Sequence, residues 1–182
     1  MADTDASTLV VMSGIPFAGK TTLARELAAR CGLTRVSVDE IVVELAIELG
    51  RDAENQRGWA RAMAEGLERT RRSLARGESV VYDTANHTRR NRDRCRRVAW
   101  QASAEFRCVW VDAPVEVARE RLLANRADPE RVDVPDASFR QIVDAFEPPS
   151  DEPDTVRYEP GMDMDELMRA LDMPRPGIRH PK

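Results

Sequence analysis

Two rhythms alternate along this chain. Short apolar runs stand at TLVVMSG (8–14), RVSVD (35–39), SVVYD (79–83), FRCVWVD (106–112) and TVRYEP (155–160). Their length and β-branched content predict strands. Between them, apolar residues recur at helical spacing, as Leu23, Ala24, Leu27 and Ala28 do. That spacing predicts helices over 20–32, 40–50, about 53–76, 89–103, 115–126, 136–147 and 163–171. Gly32 and Gly77 stand where two of these helices end, and Asp163 and Glu166 are spaced as a capping box. Five strands separated by helices predict an α/β fold, a parallel sheet covered on both faces. Such sheets bind ligands at the carboxyl ends of their strands. Gly14, Asp39, Asp83 and Asp112 end four of the predicted strands.

Composition narrows the class. The chain has 182 residues, 42% hydrophobic and 33% charged, which predicts one soluble globular domain with a substantial core. No apolar run approaches the roughly 20 residues of a membrane span, and the acidic start MADTDAST is unlike a signal peptide. Cys31, Cys95 and Cys108 are an odd count without C-x-x-C spacing. They read as reduced thiols in a cytoplasmic protein rather than a metal cluster. The domain is expected over 1–172, with the proline-rich end, 173–182, as a loose tail. The formal net charge of −4 lacks the basic surplus of a dedicated nucleic-acid binder. The run RRNRDRCRR (89–97) is the local exception. Its arginines disperse around a helix with little aromatic interleaving, so a solvated face is the default reading.

The chemistry is concentrated in GIPFAGKTT (14–22). Gly14, Gly19, Lys20 and Thr21 match G-x-x-x-x-G-K-[ST], between a predicted strand and a predicted helix. The loop residues Pro16, Phe17, Ala18 and Gly19 would wrap the phosphates, with backbone N–H groups of the loop and of the first helical turn facing them. Lys20 would span the β- and γ-phosphates of ATP, Thr21 would bind Mg²⁺ through its hydroxyl, and Thr22 would meet a further phosphate. Lys20 is the only lysine before the terminal Lys182. A chain that otherwise uses arginine keeps a compact ammonium inside the loop. Phe17 is unusual there. Either it has ordinary φ or the loop carries strain, and its side chain either packs on a neighbouring loop or reaches the acceptor. No N-K-x-D motif suggests guanine binding, and the strands ending VVYDT and VWVDAP lack the Asp-Glu pair of ring motors.

The ordered set GIPFAGKTT, VSVDE, VVYDTANHTRRNRDRCRRVA, WVDAPVEVARERLLANR and FEPPSDEP resembles small P-loop kinases related to phage polynucleotide kinase, often labelled AAA-domain ATP-binding proteins. It is also similar to gluconate and zeta-toxin-like kinases. The resemblance covers about 8–160 and implies a P-loop three-layer sandwich with strand order 2-3-1-4-5, an ATP site, and an arginine-bearing lid near 126–136. Asp39 would take the acceptor's proton, with helix capping as its alternative role. Asp83 would serve Mg²⁺ or the acceptor, and Asn86 and His87 would lie near the substrate. Arg126 would neutralise charge on the transferring phosphoryl group, with Arg121 and Arg131 as further lid arginines. Pro149, in FEPPSDEP, would border the adenine. The expected activity is transfer of the γ-phosphoryl group of MgATP to the hydroxyl of a small molecule. A polynucleotide 5′-hydroxyl is the alternative acceptor, and a nucleotide-binding regulator with little turnover the alternative class. No membrane partner is expected.

Overall fold

The computed structural model describes residues 6–49, 56–130, 133–159 and 161–173, side chains at 46–49 and 56 aside. In chain order the elements are β1 (Thr8–Ser13), α1 (Lys20–Cys31), β2 (Thr34–Ser37), α2 (Val38–Leu49), α3 (Gln56–Ala75), β3 (Val80–Asp83), α4 (Arg89–Gln101), β4 (Glu105–Val111), α5 (Val115–Ala127), α6 (Asp136–Asp144), β5 (Thr155–Tyr158) and α7 (Met164–Ala170). The strands form one sheet in the order β2-β3-β1-β4-β5, and every neighbouring pair is parallel. The expected fold class and strand order are both present.

β1 occupies the centre because it is apolar on both faces. Leu9 and Val11 enter the cluster that α2, α3 and α4 build with Ile41, Ala62, Leu74, Cys95 and Ala99. Val10 and Met12 enter the opposite cluster, with Leu23 and Leu27 of α1, Leu122 of α5, Phe139 of α6 and Leu167 of α7. These four side chains of β1 are fully buried. A strand covered on both sides needs apolar residues at every position rather than at alternate ones, which explains the unbroken LVVM run.

Two boundaries differ from the sequence expectation in a way that matters. β2 stops at Ser37, so Val38 and Asp39 belong to the first turn of α2. Ser37 Oγ accepts from the backbone N–H of Glu40 at 3.4 Å. The helix-capping role considered for Asp39 is therefore filled by Ser37. At the other end of the chain the expected cap is present: Asp163 Oδ1 accepts from Glu166 N at 2.7 Å. The tail expectation for 174–182 and the lid arginine Arg131 lie outside the described residues.

Candidate active site

The glycine loop leaves β1 and opens α1. Gly14 has φ 146°. A Cβ there would stand 2.7 Å from the carbonyl oxygen of Val111, so only glycine fits this passage beside β4. Gly19 caps α1 at φ 107°, another conformation that disfavours side chains. The Lys20 ammonium is buried and donates to Ile15 O at 2.6 Å, across the loop's own curve. Arg121 reaches from α5 to donate to the carbonyls of Phe17 (3.2 Å) and Ala18 (3.0 Å). It thereby ties the outer side of the loop to α5. Thr21 is half-buried and Thr22 exposed on the first turn of α1.

Phe17 adopts φ 61° and is 5% exposed. The strained alternative for the backbone is the observed one. The side chain belongs to the apolar cluster of Ile15, Leu122 and Phe139. It packs inward, so the reading in which Phe17 reaches the acceptor is corrected: burial of a large ring offsets a left-handed backbone costing about 1–2 kcal/mol.

On the side of β2 and β3 the surroundings of the loop are acidic. Asp83, 3% exposed, ends β3 beside Ser37 of β2. Thr21 Oγ1 donates to Asp83 Oδ1 at 3.3 Å, and Arg35 Nη1 donates to Asp83 Oδ2 at 2.8 Å. Burial pushes the Asp83 carboxyl up, opposed by the Arg35 charge, and the carboxylate of Asp39 pushes it further up. Asp39, half-buried in the first turn of α2, is thus an electrostatic neighbour of Asp83. Lys20 acts on Asp83 with the opposite sign. Arg35 escaped the sequence reading. It also bonds Glu40, and its role depends on β2 pairing with β3, which no local motif announces.

Asn86 is turned inward. It is 2% exposed, with φ 40°. Its Nδ2 donates to Met12 O at 2.9 Å, and its Oδ1 accepts from Cys95 Sγ at 3.8 Å. The expectation that Asn86 binds substrate is corrected, because both ends of its amide are spent inside the protein. His87 next to it is lowered by burial and by Lys20, against a raising influence from Glu147.

The arginine run is also less uniform than expected. Arg92 is 1% exposed and is the largest fully buried side chain among the described residues. Its Nε donates to both oxygens of Glu152 (3.0 and 3.1 Å), Nη2 to Glu152 Oε1 (2.6 Å) and Nη1 to Asn86 O (3.0 Å). Arg96 bonds Glu152 as well, and Asp154 at 3.3 Å. This cluster fastens the 147–154 loop to α4, and Glu147 Oε2 accepts from Arg89 N at 2.6 Å.

A family model described as AAA domain matches residues 9–149. The chain belongs to the AAA-domain family. A cytidylate kinase of Methanopyrus kandleri is 29% identical over 147 residues, 74% of this chain and 68% of that kinase. Among solved structures, Kti12 of Chaetomium thermophilum in complex with ADP-AlF3 superposes with a TM-score of 0.71 at 23% identity, covering 90% of this chain and 95% of that one. A gluconokinase of Sinorhizobium meliloti 1021 superposes at 0.61 with 21% identity, covering 91% and 89%. The fold is that of small P-loop kinases.

Two further candidate residues have partners of their own. Arg126 bonds Asp133 (2.9 Å), Val134 O (3.0 Å) and Asp136 (2.9 Å). These bonds lock the end of α5 to the start of α6. Pro149 is buried, and its carbonyl accepts from Glu152 N at 3.2 Å. It stiffens the loop in which it lies. No described helix is long and apolar enough to cross a membrane.

Proposed function

We propose that this protein is an ATP-dependent phosphotransferase that moves the γ-phosphoryl group of ATP to a hydroxyl of a small molecule. The observation that carries the reading is the pair of acidic side chains, Asp39 and Asp83, set beside the phosphate loop at Thr21. A hydroxyl acceptor must lose a proton as it attacks, and a neighbouring carboxylate supplies that base. A phosphate acceptor brings its own anionic nucleophile and needs cationic partners instead. Here the neighbouring arginine, Arg35, is already engaged by Asp83 and Glu40.

In the proposed reaction the acceptor oxygen attacks the γ-phosphorus, its proton passes to Asp39, and the bond to the β-phosphate oxygen breaks to release ADP. Lys20 and the N–H groups of the loop and the α1 terminus hold the phosphates. Thr21 and Asp83 offer hard oxygen donors 3.3 Å apart, which suits Mg²⁺ shared with substrate phosphates. Mg²⁺, when bound, would neutralise the charge on the β- and γ-oxygens. For Arg126 to act on the phosphoryl group it must first leave Asp133 and Asp136, so its role belongs to lid closure.

The test is phosphoryl transfer from labelled ATP to a panel of sugars, aminocyclitols, nucleosides, nucleoside monophosphates and 5′-hydroxyl oligonucleotides. The expected product is a phosphate ester of a small alcohol. Asp39→Asn is expected to bind ATP normally and to lose about 10²–10⁴-fold in turnover. Full activity of that variant removes Asp39 as the base. The monophosphate arm addresses a second reading, transfer to the phosphate of a nucleotide, which the 29% identity to a cytidylate kinase supports. Product only on nucleoside monophosphates overturns the hydroxyl acceptor.

A further inference from the structure

One charged surface lies outside this chemistry. α4 turns Arg92, Cys95 and Ala99 inward, and they are buried. Its opposite face carries Arg90, Arg94 and Arg97 in a row, at helical spacings of four and three, and all three are exposed. Among the described residues none of these three side chains makes an ion pair. Several arginines elsewhere are paired. On α3, Arg69, Arg71 and Arg72 are each matched by Glu65 or Glu68, and on α4 itself Arg96 is matched by Asp93. In a chain whose formal charge is −4, this row keeps an unneutralised positive field. Beside it, one turn beyond Arg97, Trp100 is 80% exposed, the highest exposure among the large apolar side chains described.

We propose that the outer face of α4 binds single-stranded nucleic acid, with Arg90, Arg94 and Arg97 on the sugar-phosphate backbone and Trp100 as a stacking plane for a base. Cations in a row beside an aromatic face are the two components of sequence-tolerant single-strand binding. The stripe runs about 11 Å along the helix from Arg90 to Arg97, enough to meet successive phosphates. An anionic membrane is disfavoured because α4 has spent its apolar side on the sheet and has no face to insert. An acidic peptide would match the charge but leave Trp100 without a role. The surface is distinct from the acceptor site and needs no phosphoryl transfer, so it stands or falls independently of the kinase reading.

The experiment uses the full chain and a labelled oligothymidylate that already carries a 5′-phosphate and therefore offers no 5′-hydroxyl. Fluorescence anisotropy at low salt is expected to give a dissociation constant in the micromolar range, with affinity falling steeply as salt rises. Arg90→Gln/Arg94→Gln/Arg97→Gln is expected to weaken binding at least about tenfold and to flatten the log–log salt slope by about 2. Trp100→Ala is expected to weaken the single strand while leaving duplex binding unchanged. Lys20→Ala, which disables the phosphate loop, is expected to bind the oligonucleotide like wild type. All three surface positions and Trp100 are exposed, so circular dichroism and thermal midpoints should match wild type. Equal binding by wild type and the triple variant overturns the proposal. So does loss of binding in Lys20→Ala, which would place the oligonucleotide in the nucleotide loop. Polyglutamate competing as well as the oligonucleotide would assign the surface to acidic protein instead, and overturns it too.

Discussion

At the scale of single residues, Phe17 shows how two opposing costs settle a conformation. Its backbone lies in the left-handed region at φ 61°, yet its ring is buried among Ile15, Leu122 and Phe139. Phe17→Ala loses the ring and keeps the strain, so it should cost about 3–5 kcal/mol. Phe17→Gly loses one more carbon and relieves the strain. Glycine normally costs about 0.5–1 kcal/mol against alanine, whereas here Phe17→Gly should be at least as stable as Phe17→Ala. Urea denaturation of the pair measures this, and a glycine variant clearly less stable than the alanine one contradicts the strain argument. Lys20 is the functional counterpart. Lys20→Ala is expected to lower phosphoryl transfer by about 10²–10³-fold or more, measured with any acceptor the panel identifies. Both residues were legible as candidates in GIPFAGKTT. The direction of the Phe17 side chain was not, because it depends on α5 and α6, more than 100 positions away in sequence.

At the scale of elements, the buried Arg92–Glu152 pair joins α4 to the loop before β5. It also continues through Asn86 O to Ser13 Oγ and the end of β1. Burial raises the Glu152 carboxyl, but the hydrogen bonds from Arg92 and Arg96 outweigh it and hold the group below its ordinary range. Removing Arg92 leaves the buried Glu152 with Arg96 as its one remaining cation and strips the Asn86 carbonyl of a donor. Arg92→Met should therefore destabilise by about 3–5 kcal/mol, whereas the double change Arg92→Met/Glu152→Leu should recover much of that loss. A double-mutant cycle in urea or by heat checks it, and additive losses would show that the two groups are not coupled. The helical pattern of 89–103 was readable. Its arginines were not sortable in the same way, since a buried and a solvated arginine look alike until the partner Glu152, 60 residues on, is placed. Arg35 has the same history: its significance lies in strand pairing between β2 and β3, and the sequence of β2 alone offers only an alternating run.

At the scale of the whole molecule, pH should act through His87, the histidine of the β3–α4 loop. Burial and the Lys20 charge depress it below the usual histidine value of about 6.5. Below that value the unfolded chain takes up a proton that the folded one resists. Stability should therefore be undiminished above about pH 6.5 and fall as pH drops towards the depressed folded value. His87→Gln should flatten that limb. Thermal midpoints at pH 5 to 8 measure it, and an unchanged pH dependence in the variant assigns the limb to other groups.

The sequence by itself determined the class of this protein. Apolar runs of strand length alternating with helical spacing allow little but a covered parallel sheet. The glycine-lysine-threonine loop marks its binding end, because only glycine can occupy the backbone at Gly14 and Gly19. Local rules of this kind are written in neighbouring residues. The tertiary structure decided which side chains meet. It paired Thr21 with Asp83, engaged Arg35, buried Arg92 and Asn86, tied Arg126 to Asp133 and Asp136, and left Arg90, Arg94 and Arg97 facing outward. Each of those outcomes rests on contacts between segments far apart in the chain. Burial and charge pairing, which govern them, are properties of the assembled layers rather than of any stretch of sequence.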